Sequence, residues 1–139
     1  MDTERPPAVA GLFYPEDSST LSQMVGGFLK GVPAPPPSPF LPKPVIVPHA
    51  GYPYSGPVAA SAYARLRPFR DRYRRVILIG PAHRVPFRGV AASTASAFKT
   101  PMGSVSLDHS ALATALDLPQ LQLLDQAHAE EHSLEVNLP

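Results

Sequence analysis

Apolar positions recur at two periods along this 139-residue chain, and the change of period marks its elements. Leu21, Met24, Val25, Phe28 and Leu29 fall at i, i+3, i+4, i+7 and i+8, one stripe of an α-helix. Ser18 or Ser19 is placed to cap its start, and Gly26 and Gly27 weaken its interior. Val45-Ile46-Val47 and Val76-Ile77-Leu78-Ile79 are short and apolar throughout, the pattern of strands covered on both faces. Between them, Pro57 to about Leu66 reads as a helix of small residues. Ser55 is its cap, Pro57 sits in its first turn, and residues 51–56 form the loop before it. Strand, helix and strand at this spacing make a βαβ unit, so the two strands are expected to be parallel and adjacent.

Downstream, Val90-Ala91-Ala92 and Leu121 to Leu124 read as strands, and Phe98 to Leu107 as a hairpin turning at Pro101-Met102-Gly103. Asp108 is placed to cap a helix from about His109 to Leu116. Ser133 to Leu138 has helical spacing but meets Pro139 with no terminator. That pattern predicts a chain cut inside its domain, with Leu134, Val136 and Leu138 lacking downstream partners and apolar surface exposed or covered by self-association. The fold class expected is α/β: a layered sandwich with a mostly parallel or mixed central sheet and helices on its faces, truncated at the C-terminus. Residues 1–139 then form a single incomplete domain.

Composition adjusts this picture in a few places. Proline is abundant, and Pro33, Pro35, Pro36, Pro37, Pro39, Pro42 and Pro44 concentrate it in one stretch. Residues 33–44 therefore read as a polyproline II connector inside the domain, or as a ligand for an SH3-type module. Lys+Arg 12 against Asp+Glu 11 leaves net +1, too balanced for a general nucleic-acid binder. Arg65, Arg67, Arg70, Arg72, Arg74 and Arg75 cluster in a segment that is either a solvated turn or an anion site. No cysteine is present, so disulfides, thiolate metal sites and thiol catalysis are excluded within the chain. No apolar run approaches the roughly 20 residues of a membrane helix. The first residues lack the order of a secretory signal, so the default expectation is cytoplasmic.

The chemistry rests on histidine. His49 follows the first apolar segment in Pro48-His49-Ala50-Gly51-Tyr52, and His83 follows the second in Gly80-Pro81-Ala82-His83. Adjacent parallel strands lie about 4.8 Å apart, and ligands bind outside their carboxyl ends. The two imidazoles should therefore converge on one site, as ligands for a divalent transition metal. A third cluster, His128-Ala129-Glu130-Glu131-His132, fits H-x-x-E-H, an inverted zinc-peptidase motif. It reads equally as a loop in which Glu131 and His132 form an acid–base or supporting pair, or as a solvated helix start. His109 reads as a surface residue. Tyr52 and Tyr54 either line a pocket or pack the loop.

Four segments together resemble the Memo family, called AmmeMemoRadiSam system protein B in prokaryotes. They are residues 8–15 (Ala-Val-Ala-Gly-Leu-Phe-Tyr-Pro), residues 47–56 (Val-Pro-His-Ala-Gly-Tyr-Pro-Tyr-Ser-Gly), residues 79–83 (Ile-Gly-Pro-Ala-His) and residues 131–139 (Glu-His-Ser-Leu-Glu-Val-Asn-Leu-Pro). Phe98-Lys99-Thr100-Pro101-Met102-Gly103 also matches the family's central hairpin. The resemblance implies a sandwich related to class III extradiol dioxygenases, whose non-haem iron sits at the carboxyl edge of the sheet. It implies His49 and His83 as metal ligands and Glu131 and His132 as catalytic pocket residues. It also implies iron or copper as the metal and a radical-SAM partner protein. Memo proteins are roughly twice this length, which places the expected third ligand outside the chain and predicts weak metal affinity. The function expected is metal-dependent redox chemistry at an active or vestigial site. The alternative is a non-catalytic cleft for a peptide or small molecule, and the distant alternative is a metallopeptidase.

Overall fold

The computed structural model describes residues 3–139. The first apolar stripe folds as expected: helix α1 spans Ser18–Gly31 and buries Leu21 completely. Its cap is Asp17 rather than Ser18 or Ser19. The Asp17 carboxylate accepts from both the backbone N–H (2.8 Å) and the hydroxyl (2.6 Å) of Thr20, and an ionised acceptor at the positive helix end outcompetes a serine hydroxyl. Burial of Met24, Val25 and Phe28 continues the stripe onto a core of Val9, Tyr14, Leu21, Tyr52 and Val136. Val136 is thus packed by residues upstream of it.

Helix α2 spans Tyr52–Leu66, so most of the expected loop is its first turns. Gly51 occupies the cap position, and Pro53 takes the first turn, where a missing N–H leaves nothing unpaired. Pro57 lies inside the helix. The residue before it is Gly56, whose lack of a Cβ removes part of the clash that normally disfavours helical backbone before proline. Ser55 is not a cap: its hydroxyl donates back to the carbonyl of Ala50 (2.6 Å). Gly56 is also where the two helices touch, since a Cβ there would lie 2.3 Å from the Phe28 ring. Gly56→Ala should therefore cost about 1–3 kcal/mol by overpacking, read as a lowered urea midpoint at unchanged slope.

The strands that form are the later ones. Strand β1 (Glu4–Arg5) pairs in parallel with β3 (Ala97–Thr100), and β3 forms the expected hairpin with β4 (Gly103–Ser106). This three-stranded mixed sheet runs in the order β1-β3-β4. A separate parallel pair joins β2 (Val90–Ala92) to β5 (Leu121–Leu123). Helix α3 (His109–Ala115) is capped by Asp108, as predicted, and a short helix α4 spans Gln126–Ala129. The fold is thus mixed α/β, with helices and a mixed sheet.

The expected βαβ unit is corrected. Among the described residues, neither 45–47 nor 76–79 enters a ladder. Most of their side chains face solvent, Ile46 being 98% and Ile77 81% exposed, while Val47 and Leu78 are partly covered. A strand-like composition becomes a strand only when a neighbour supplies hydrogen bonds and a covered face, and among the described residues neither segment has one. The segment 133–138 forms one 3-10 turn, Glu135–Asn137, not an α-helix. The arginine cluster starts in the last turn of α2 at Arg65 and continues through a 3-10 helix, Arg67–Arg72, with no buried residue. Among the described residues no helix is long and apolar enough to cross a membrane.

Candidate metal centre

Three loops converge at the site, each fixed by short-range sequence features. The loop bearing His49 is tied to the N-terminal turn by the Tyr52 N–H, which donates to the Phe13 carbonyl (2.8 Å). The loop bearing His83 lies flat on residues 133–134. A Cβ at Gly80 would come within 2.9 Å of Leu134, and the Ser133 hydroxyl donates to the Pro81 carbonyl (2.7 Å). His132 stands between them, its ring 4.6 Å from that of Phe13.

The three rings form a compact triangle. Ring centroids are 5.3 Å apart for His49 and His83, 5.7 Å for His49 and His132, and 4.6 Å for His83 and His132, which stack. One nitrogen from each ring lies within 4.8 Å of the others. The convergence of His49 and His83 was expected from adjacent strands; it occurs here without them. The third donor, expected outside the chain, is available inside it as His132.

Such a set suits a metal. Tetrahedral zinc-type coordination at 2.0–2.1 Å places ligand nitrogens about 3.3 Å apart, so the triangle needs a contraction of about 1.5 Å at its widest edge. Two of the rings are at least partly sheltered, and an open cleft lined by Phe13, Ile46, Val47 and Pro48 borders His49 and His132. Burial, together with the neighbouring His83, His49 and Arg84, holds the His132 imidazole below its usual range, outweighing Glu131; neutral imidazole is the ligating form.

Glu131 sits directly behind the triangle. Its carboxylate accepts from the backbone N–H of His83, from His132 N–H (2.9 Å) and from Ser133 N–H (3.0 Å), and it lies 2.9 Å from His83 Nδ1. Burial alone would raise its pKa. The hydrogen bonds from His83, Ser133 and His132 override that and bring it down to about 2. An ionised carboxylate with its oxygens so occupied is a poor proton donor near neutrality. Its geometry is that of a support for the neighbouring rings.

Sequence reasoning missed the frame beneath this support. Glu135 is fully buried and accepts from Ala8 N–H (2.8 Å), Val9 N–H (2.9 Å), the Tyr14 hydroxyl (2.6 Å) and the Arg5 guanidinium. Arg5, also buried, donates to the carbonyls of His128 (2.7 Å) and Glu131 (2.6 Å). The N-terminal residues are thereby fastened to the segment carrying Glu131 and His132. Glu135 lies in the Glu-His-Ser-Leu-Glu run, so its position was visible. Its burial was not, because the partner is 130 residues away in sequence.

The other candidates lie elsewhere. His128 hydrogen-bonds the Ala91 carbonyl (3.1 Å) and packs edge-on against Phe98 (5.6 Å). The helix ends at Ala129, so His128 and His132 do not share a helical face, and H-x-x-E-H is not a zinc-peptidase constellation here. His109 is exposed, as expected. Tyr52 is a core residue whose hydroxyl donates to the Val136 carbonyl (2.8 Å), whereas Tyr54 is 83% exposed.

Residues 5–139 match the family model described as "Memo-like protein". A MEMO1 family protein of Methanopyrus kandleri is 41% identical over 145 residues, covering 98% of this chain and 50% of the relative. A MEMO1 family protein of Aquifex aeolicus is 38% identical, covering 97% of this chain and 48% of the relative. Protein MEMO1 of Danio rerio is 32% identical, covering 94% of this chain and 42% of the relative. The chain spans about half the length of the curated relatives it matches.

Proposed function

Because the chain belongs to the Memo-like protein family, we propose that His49, His83 and His132 together hold one divalent transition metal, iron or copper, at an open site that supports redox chemistry. The observation that carries this reading is the triangle itself: three imidazoles from three separate loops, with one nitrogen of each within 4.8 Å of the others. Three protein nitrogens plus a free position is the ligand count of catalytic rather than structural sites. When bound, such an ion would supply Lewis acidity and one-electron chemistry. The chain's own residues do the rest. Phe13 packs against the His132 ring, the cleft beside Pro48 leaves an open approach to the site, and Glu131 steadies two of the rings. His132, neutral through burial, has the character to accept a proton when it is not ligated. A cytoplasmic setting and a radical-SAM partner protein belong to the same proposal.

Anaerobic calorimetric titration with iron(II), and in parallel with copper(II), tests it. The expected result is one ion per chain, with His49→Ala, His83→Ala and His132→Ala each weakening binding by more than the 10–100-fold typical of losing a supporting residue. His109→Ala should leave affinity unchanged. A chain that takes up no ion, or a His49→Ala variant that binds as before, would remove the metal reading and leave the cleft as a pocket for a peptide or small molecule.

A further inference from the structure

We infer that Glu131 fixes the tautomer of His83, placing the ring proton on Nδ1 and leaving Nε2 as the nitrogen with a free lone pair. The argument is geometric. Glu131 Oε1 lies 2.9 Å from His83 Nδ1, while Oε2 accepts the backbone N–H of the same residue. An ionised carboxylate has only acceptors, so the ring must be the donor, and it can donate only with hydrogen on Nδ1. Two contacts to one residue, through its backbone and its ring, also restrict rotation of the ring. The carboxylate side chain is only 6% exposed, so water is a weak competitor for it. The same Oε1 lies 3.3 Å from Nδ1 of His132, on the same side of the stacked pair. One carboxylate thus lies beside the Nδ1 atoms of two rings, but only the His83 ring hydrogen-bonds to it, so the assignment is made for His83 alone.

The tautomer holds with or without an ion. Its consequence, that Nε2 of His83 is the ligating atom, rests on the metal reading above. It also assigns Glu131 a positioning role rather than one of proton transfer.

The experiment is long-range proton–nitrogen correlation NMR on the nitrogen-15-labelled full chain, metal-free, at pH 8, where histidine is largely neutral. His83 is assigned by the loss of its signals in His83→Gln. His83 should show a protonated Nδ1 and a bare Nε2, the opposite of the Nε2–H form favoured by a free histidine side chain and expected at exposed His109. Glu131→Ala should return His83 toward the His109 pattern. Glu131→Gln, whose amide oxygen still accepts, should largely retain the wild-type form. Should Glu131→Ala lose its dispersed amide spectrum, Glu131→Ser, too short to reach the ring, takes its place. An Nε2–H tautomer in the wild-type chain, or an unchanged tautomer after removal of the carboxylate, would overturn the inference. An Nδ1–H tautomer in a chain that binds neither iron(II) nor copper(II) would support it while sinking the metal reading.

Discussion

Glu135→Ala should lower the stability of the chain by about 3–5 kcal/mol, the cost typical of leaving one member of a buried ion pair alone. Glu135 has no exposed surface, and Arg5 opposite it is 7% exposed. Removing the carboxylate strands a guanidinium, two backbone N–H groups and the Tyr14 hydroxyl, all of which now share its two oxygens. Each buried donor without a partner adds its own desolvation cost. Arg5→Met should also destabilise, since it frees the carbonyls of His128 and Glu131 along with Glu135 itself. The double variant Arg5→Met, Glu135→Ala should recover part of the loss, because a pair removed together leaves no lone charge. Urea denaturation of the four proteins gives the coupling energy directly. A loss below about 1 kcal/mol for Glu135→Ala would mean that the N-terminal residues are not fastened through this carboxylate.

Acid should unfold the protein in two stages, and their order follows from the sign of the shifts. His128 is held below its usual range, chiefly by burial, and His132 likewise. Unfolding lets both take up protons, so stability begins to fall as the pH drops below about 6.5. Glu131 and Glu135 are both depressed, their hydrogen bonds outweighing the opposing effect of burial. A carboxylate depressed in the fold contributes stability that is complete above its unfolded value near 4.3 and lost as the pH falls through the folded value. For Glu131, at about 2, the full contribution is on the order of 3 kcal/mol. Urea midpoints measured from pH 8 to pH 3 should show a shallow decline followed by a steep one. His128→Gln should flatten the first and Glu131→Gln the second. A midpoint that rises on acidification would contradict the assignment of both carboxylates.

Local chemistry in the sequence translated well where it was self-contained. The stripe Leu21 to Phe28, the Asp108 cap and the hairpin at Pro101 to Gly103 each depend on residues within a few positions of one another, and each formed. The segments 45–47 and 76–79 did not become strands, because a ladder depends on a neighbour that composition alone cannot identify. The start of α2 was misplaced for a subtler reason. Two glycines and a proline in residues 51–56 signal a loop, yet Pro53 sits in a first turn and Gly56 relieves the clash ahead of Pro57. His49 and His83 were legible as a pair because both follow apolar segments in Gly/Pro loops. His132 was legible as a pocket residue but not as their third companion, since nothing near Glu131 in sequence shows that its carboxylate reaches back to residue 83. Arg5 and Glu135 lay wholly outside what local pattern can show.

None of the three histidines lies in a helix or a strand, and along the chain they stand 34 and 49 residues apart (83 − 49 and 132 − 83). An ion seated among them would pin three otherwise separate loops at a single point. The entropic cost of closing such loops grows as about (3/2)RT ln n, so a cross-link spanning loops this long constrains the unfolded chain somewhat more than one closing a short turn. In a chain without cysteine, the metal would take the part of a disulfide: a reversible cross-link whose strength follows ion availability and proton concentration rather than redox potential.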